Sequence, residues 1–245
     1  MIIQTCPTPK DVSLAAAKQF SHLAHTAIEK YGSFAVAFSG GSTPKLLFET
    51  LAQAPFQDEI PWKQIEIFWG DERWVASDDD RSNEKMARQA LLSHVPIPES
   101  HIYPMYQPKA SIEEACVLYE TEIKRLGRPL DLILLGLGDN GHTASLFPHT
   151  RVLDETEKLV DYFYLEEQEM SRMTLTAPAI NQANHILFLV CGQDKASIVH
   201  SVLEGTKQPA KWPAQLIRPE KGQLTWLLDQ AAASQITQQN SFAAP

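Results

Sequence analysis

Short runs of apolar residues alternate along the chain with longer stretches in which apolar residues recur every three or four positions. The short runs are typical of buried β-strands and the longer stretches of amphipathic helices. The pattern predicts strands over 34–38, 65–69, 130–135, 185–190 and 224–228, and helices over 11–30, 44–51, 83–92, 111–126 and 194–203. Such alternation predicts an α/β fold with a mostly parallel sheet flanked by helices on both faces.

The domain organisation follows from the absence of a linker rich in Gly, Pro or Ser anywhere along the sequence. We therefore expect a single α/β domain over 1–230. Residues 231–245 are rich in Ala, Gln and Ser and carry no charge. This composition predicts the end of a short helix followed by a flexible tail.

The charge balance limits the classes of partner. The 245 residues include 21 Lys and Arg and 30 Asp and Glu, a formal net charge of −9. Nucleic acids and anionic membranes attract clustered basic residues, so we expect neither as a partner. An anionic small substrate remains compatible with this charge if cations or backbone N–H groups are concentrated locally. We expect a monomer or a weak homo-oligomer.

The cysteines and the N-terminus indicate the compartment. Three cysteines without a C-x-x-C pair, Cys6, Cys116 and Cys191, predict buried free thiols in a reducing environment. The N-terminus lacks the basic and long apolar segments of a signal peptide. The longest stretch without charges, 173–193, contains too many polar residues for a membrane span. We expect a soluble cytoplasmic protein.

Candidate chemistry lies in the segments after the predicted strands, because ligands of parallel sheets bind at the carboxyl ends of the strands. The first such segment contains Gly40, Gly41, Ser42, Thr43 and Pro44. The glycines allow a tight turn, and either hydroxyl can cap the following helix. The free N–H groups of that helix start predict a phosphate cradle, with an ordinary strand–turn–helix junction as the alternative.

The same segment also permits a degenerate nucleophile elbow around Ser39, with Ala37 at the first glycine position. In that hypothesis Ser39 is the nucleophile of a serine hydrolase. It leaves the glycine-rich segment farther along the chain without a function.

The second segment, after the strand over 65–69, contains Asp71, Glu72 and Arg73. Three charges directly after a buried strand are costly unless they are paired or face a cleft. Arg73 could hold a phosphate or a developing oxyanion, whereas a structural ion-pair network among the three is the alternative.

The third segment, 136–145, combines three glycines with His142. Histidine is the side chain best suited to proton transfer near neutral pH, so His142 is the candidate acid–base residue. Lys195, near a predicted helix start, and Arg172, before an apolar stretch, could reach an anionic ligand, although such residues often face solvent.

Together these segments resemble the 6-phosphogluconolactonases of the glucosamine/galactosamine-6-phosphate isomerase superfamily. The resemblance rests on FSGGSTP, GDERWV with a later SN, LLGLGDNGHTASLFP, RMTLT and the pair Gly192 and Lys195, in this order. The most specific part is GHTASLFP. It implies a fold of the sugar-phosphate isomerase and deaminase type. It also implies hydrolysis of 6-phospho-D-glucono-1,5-lactone to 6-phosphogluconate in the oxidative pentose phosphate pathway, without cofactor or metal.

The resemblance implies roles for particular residues. The catalytic histidine is His142, and Arg73 is one of the basic ligand-binding positions. We expect His142 to act as a general base, with Arg73 and Asp71 as the other catalytic candidates. The phosphate loop is formed by Gly40, Gly41, Ser42 and Thr43. The further basic ligand-binding positions are Arg172 and Lys195.

One position departs from the family pattern, which usually reads Asp-Gly-His where this chain has Asn140-Gly141-His142. Asparagine keeps a carbonyl acceptor but loses the carboxylate charge. If that charge normally raises the basicity of the histidine, His142 is expected to be a weaker base here. Two alternative functions remain: a glucosamine-6-phosphate deaminase and a sugar-phosphate-binding module without catalysis.

Overall fold

The computed structural model describes residues 1–237, which form nine β-strands and seven α-helices. The strands are β1 (Ile2–Cys6), β2 (Phe34–Phe38), β3 (Ile65–Trp69), β4 (Asp71–Arg73), β5 (Leu132–Leu135), β6 (Val160–Leu165), β7 (Met170–Leu175), β8 (His185–Val190) and β9 (Gln223–Asp229). The helices are α1 (Pro9–Tyr31), α2 (Ser42–Leu51), α3 (Phe56–Glu59), α4 (Asn83–Ala90), α5 (Ile112–Arg125), α6 (Ala177–Asn181) and α7 (Ala196–Leu203).

Six strands form a parallel sheet in the order β1-β9-β8-β5-β2-β3, and helices flank it. Every residue of β2 and β5 is buried, as expected for strands covered on both faces. The prediction of an α/β fold with a mostly parallel sheet is therefore confirmed. The order places the carboxyl ends of β8, β5, β2 and β3 side by side, so the segments that follow them meet.

A second sheet of three antiparallel strands, in the order β4-β7-β6, was not predicted. Strand β4 consists of three charged or polar residues, so no hydrophobic pattern marked it. Strand β1, also missed, is five residues long and pairs in parallel with β9. These two strands owe their conformation to their neighbours in the sheets more than to local sequence.

Helix α1 begins two residues before its predicted start, and helix α2 lacks the predicted cap. Helix α1 is capped by Thr8, and Asp11 completes a capping box at the third helical position. Helix α2 begins at Ser42, with Gly41 at the N-cap position and no side-chain cap. The prediction that Ser42 or Thr43 caps α2 is therefore wrong, because the chain enters this helix through a left-handed glycine, with φ 102° at Gly41.

The last described residues also differ from expectation. Residues 231–235 form turns where a helix was predicted, and Ala232 and Ala233 pack into the core. The rest of the predicted tail, 238–245, lies outside the described residues. Among residues 1–237, no helix combines the length and the hydrophobicity needed to cross a bilayer.

Candidate active site

A cavity of about 520 Å³ lies at the carboxyl ends of β2, β5 and β8. All nine candidate residues line it: Gly40, Gly41, Ser42, Thr43, Asp71, Arg73, His142, Arg172 and Lys195. Their convergence follows from the sheet order, because residues more than a hundred positions apart are brought to one edge. The structure thus places the predicted set in one site, and their chemical roles remain predictions.

The first loop forms one wall of this cavity. Gly41 allows the left-handed turn that opens α2 toward the cavity. Gly40 packs against the side chain of Asn83, and a Cβ atom at position 40 would lie 1.9 Å from Asn83 Oδ1. Any side chain at position 40 would therefore displace Asn83. The Nδ2 group of Asn83 in turn donates to the carbonyl of Asp71 at 2.9 Å.

Asp71 is buried at the junction between the loops. Its carboxylate accepts a hydrogen bond from the Ser145 hydroxyl at 2.6 Å and a longer one, 3.3 Å, from Asn83 Nδ2. These contacts join β4 to the glycine-rich segment and to α4. They keep a negative charge near His142, where that charge favours the protonated imidazole.

The buried carboxylate of Glu72 is hydrogen-bonded mainly to backbone N–H groups. Its carboxylate accepts hydrogen bonds from the backbone N–H groups of Arg73, Asn83 and Glu84, each at 2.8 Å, and from the Ser82 hydroxyl at 3.0 Å. Burial raises the pKa of Glu72 to about 6. Arg73 donates its backbone N–H to Glu72 and its guanidinium to the carbonyl of Arg81, and within residues 1–237 that guanidinium forms no ion pair with Asp71 or Glu72. The alternative of an ion-pair network among the three is therefore not observed.

Arg73 and Arg172 face each other across the antiparallel pair β4 and β7. Their buried Nε atoms have no hydrogen-bond partner among the described residues. Burial, together with the charge of Arg73, lowers the pKa of Arg172, whereas Asp71 acts in the opposite direction. Like charges placed directly opposite each other destabilise a sheet. Two facing arginines beside a cavity therefore indicate a site for an anionic group between or near them.

His142 lies partly buried in the cavity wall. Its Nδ1 atom is 2.6 Å from Asn140 Oδ1, and its ring stacks on Phe147 with centroids 4.0 Å apart and planes at 15°. Burial is the main cause that lowers the pKa of His142 to about 4, and the charges of Arg172 and Lys195 add to this effect. The imidazole is therefore neutral near pH 7, as a general base must be.

Lys195 has partners in the protein, and so does Arg172 through a nitrogen other than Nε. The ammonium of Lys195 forms an ion pair with Asp139, and Asp194 lies 4.0 Å away. The guanidinium of Arg172 donates to the side chain of Gln168. Both partners are polar groups that a bound anion could replace.

Several cavity residues were not predicted from the sequence. Phe147 and Asn83 stand within segments quoted for the resemblance, GHTASLFP and the later SN, but their contacts with His142 and Gly40 require the folded geometry. Gln168 carried no signal, because it lies between the unpredicted strands β6 and β7. Cys191 also lines the cavity and is partly exposed, so the prediction of three buried thiols is wrong for this residue, whereas Cys6 and Cys116 are buried and all three are free.

Comparisons with known proteins identify the family of this chain. Residues 7–226 match the family described as glucosamine-6-phosphate isomerases/6-phosphogluconolactonase. The chain is 42% identical over 217 residues to a 6-phosphogluconolactonase from Synechocystis, covering 86% of this chain and 88% of that protein. It is 37% identical over 219 residues to one from Nostoc, with the same two shares.

A solved structure of 6-phosphogluconolactonase from Trypanosoma brucei superposes with a TM-score of 0.84 at 27% identity, covering 96% of this chain and 98% of that one. A monomeric glucosamine-6-phosphate deaminase, 23% identical, shares the fold with a TM-score of 0.83. The family match spans most of the described chain, and the relatives match over nearly their full lengths. The chain therefore belongs to the glucosamine-6-phosphate isomerase/6-phosphogluconolactonase family.

Proposed function

We propose that this protein hydrolyses 6-phospho-D-glucono-1,5-lactone to 6-phosphogluconate, with His142 as the general base. The observation that carries the proposal is a neutral imidazole in one cavity with two facing arginines and the start of a helix. The Synechocystis and Nostoc relatives, both named 6-phosphogluconolactonase, support the choice of substrate. A sugar-phosphate lactone needs one part of the site to bind its phosphate and another part to act on its carbonyl.

At the carbonyl end, Nε2 of His142 takes a proton from water as the water oxygen bonds to C1 of the lactone. The carbonyl electrons move to the exocyclic oxygen and form a tetrahedral oxyanion. Arg73 stabilises this charge, because its guanidinium lines the same cavity. The C1–ring oxygen bond then breaks as the imidazolium returns its proton to the leaving ring oxygen. The products are a hydroxyl group and a carboxylic acid, which ionises in water.

At the other end, the phosphate binds to the N–H groups at the start of α2 and to cationic side chains. Ser42 and Thr43 begin this helix, and neither hydroxyl caps it. Arg172 and Lys195 supply the positive charge that the acidic chain as a whole lacks. Binding the phosphate far from C1 orients the carbonyl toward His142. Each of these steps uses protein groups and water, so the proposal assigns no step to a metal or cofactor.

Replacement of the base tests this mechanism. We expect His142→Ala to reduce kcat for lactone hydrolysis by about two to four orders of magnitude, the usual contribution of a general base. The matched control is His25→Ala, which removes an exposed imidazole on α1 whose Nδ1 contacts only its own helix. The decay of the lactone, corrected for uncatalysed hydrolysis, is measured for both. Near-full activity in His142→Ala would contradict the assignment of the base.

A further inference from the structure

The contacts of Asn140 determine which nitrogen of His142 carries the proton. Asn140 Oδ1 lies 2.6 Å from His142 Nδ1 and 3.2 Å from the backbone N of the same residue. A backbone N–H group can only donate, so the side-chain atom that faces it must be the amide oxygen. That oxygen can only accept, and therefore Nδ1 must be the donor. The neutral imidazole is thus protonated at Nδ1, and its free lone pair is on Nε2.

Two further residues restrain the plane of the ring. Phe147 stacks on the imidazole at 4.0 Å. A Cβ atom at position 138 would lie 2.0 Å from both Cε1 and Nδ1 of His142, so the backbone of Gly138 is in close contact with the ring. The segment is closed by hydrogen bonds from Gly138 N to His142 O and from Gly141 N to Gly138 O, both 2.9 Å. The ring therefore has little freedom to tilt or rotate.

We propose that Gly138, Asn140 and Phe147 are positioning residues that hold His142 as the Nδ1–H tautomer, with Nε2 presented to the cavity, without a carboxylate partner on the ring. This set of three is the histidine clamp. The inference deepens the proposed function, because it rests on His142 as the general base. In this chain the neutral amide of Asn140 fixes the tautomer, and it adds no negative charge that would favour the imidazolium.

The clamp has a consequence for pH dependence. The charged groups that act on the imidazole are Asp71 and Asp139, which raise its pKa, and Arg172 and Lys195, which lower it. Burial outweighs them and lowers the pKa of His142 to about 4. Because a general base must be neutral and kcat/KM reports the ionisation of the free enzyme, the protonation of His142 is expected to leave kcat/KM unaffected as the pH falls from 7 to about 5, and to lower it only as the pH approaches the pKa.

The direct test is nitrogen NMR of the imidazole in the full-length protein labelled with 15N. The His142 signals are assigned by their loss in His142→Gln. We expect Nδ1 to show the shift of a protonated nitrogen and Nε2 that of an unprotonated one throughout the neutral range. Asn140→Leu, which removes the acceptor, is expected to give a mixture of tautomers. A wild-type protein protonated at Nε2 would overturn the proposal.

The charge of the acceptor and the stacked ring are tested by titration. Asn140→Asp keeps the acceptor and adds a negative charge beside Nδ1, so the titration midpoint of His142 and the acid limb of kcat are expected to move to higher pH. Phe147→Leu admits water to the ring and is expected to move the midpoint in the same direction. Phe163→Leu is the matched control, because Phe163 packs on Phe147 at 6.1 Å and has no ring contact with His142.

Activity separates positioning from a purely structural role. We expect Asn140→Leu to lower kcat by about tenfold or more with KM little changed. Asn140→Asp keeps an acceptor for Nδ1, so its kcat is expected to stay near that of the unchanged protein at pH values above its shifted acid limb. Identical titrations of Phe147→Leu and Phe163→Leu, or no shift in Asn140→Asp, would overturn the clamp. The NMR measurements need no substrate. They decide the clamp even if lactone hydrolysis is absent, and a failure of the proposed function is thereby distinguished from a failure of this inference.

Discussion

At the scale of single residues, the cations that line the cavity differ in what an incoming phosphate must displace. The guanidinium groups of Arg73 and Arg172 donate to neutral groups, the Arg81 carbonyl and the Gln168 side chain, and their buried Nε atoms have no partners among the described residues. Lys195, in contrast, is paired with Asp139, whose carboxylate is largely exposed. An anionic ligand that binds Lys195 competes with this carboxylate. The ion pair therefore weakens binding by a small amount, because pairs open to solvent contribute little.

We expect Asp139→Asn to lower KM for the lactone by up to about fivefold, the equivalent of about 1 kcal/mol for an exposed ion pair. The reason is that Lys195 loses a competitor for the phosphate. Steady-state kinetics at neutral pH provide the measurement. Asp194→Asn is the matched control, because Asp194 lies 4.0 Å from the same ammonium and forms a weaker contact. A KM that rises in Asp139→Asn would contradict this role.

At the scale of secondary-structure elements, the buried carboxylate of Glu72 joins β4 to the start of α4. It receives three backbone N–H groups and one hydroxyl. Two of those N–H groups belong to the first residues of α4 and would otherwise be unsatisfied. Because Asn83 in this helix also contacts Asp71 and Gly40, the junction sets the position of the cavity wall.

Replacement of this carboxylate by an amide tests the junction. In Glu72→Gln the amide NH2 group faces donors where an acceptor stood, so at least one hydrogen bond is lost. We expect the free energy of unfolding to fall by about 1–3 kcal/mol, because the loss of a buried hydrogen bond outweighs the relief from burying a carboxylate whose pKa is raised. Urea denaturation at pH 7 measures the change, with Glu29→Gln on the exposed face of α1 as control. Equal stability of the two variants would show that the junction does not depend on the charge of Glu72.

The same junction shows why the sequence could not predict every element. The apolar runs of β2 and β8 were predicted with the bounds observed, because burial on both faces leaves a nearly continuous hydrophobic signal. The bounds of β3 were also predicted, although its Glu66 is partly exposed. Strand β4 contains only Asp, Glu and Arg and gains its conformation from pairing with β7. A strand specified by its partner leaves no local pattern to read.

At the scale of the whole molecule, the order of the parallel sheet explains how the candidate site could be predicted. A parallel sheet brings the segments after β2, β5 and β8 to one edge, so Gly40, His142 and Lys195 were expected at that edge. Their adjacency depends on the strand order, which the structure supplies. The stacking of Phe147 on His142 and the ion pair of Lys195 with Asp139 could not. Such contacts depend on rotamers and loop conformations that spacing does not encode.

The overall fold does not by itself identify the reaction. The fold is shared with a glucosamine-6-phosphate deaminase, so the fold does not distinguish lactone hydrolysis from deamination. The distinction rests on the residues of the cavity and on relatives with higher identity, such as the lactonases of Synechocystis and Nostoc. Substrate choice is therefore the central claim that requires a measurement.

The most direct measurement compares the two reactions on the same protein. Glucose-6-phosphate dehydrogenase generates the lactone, and its decay is followed with and without this protein, after subtraction of the uncatalysed rate. In parallel, ammonia release is measured with glucosamine 6-phosphate. We predict strong acceleration of lactone decay and no ammonia. Ammonia release without any acceleration of lactone decay would contradict the account and assign the cavity to the deaminase reaction.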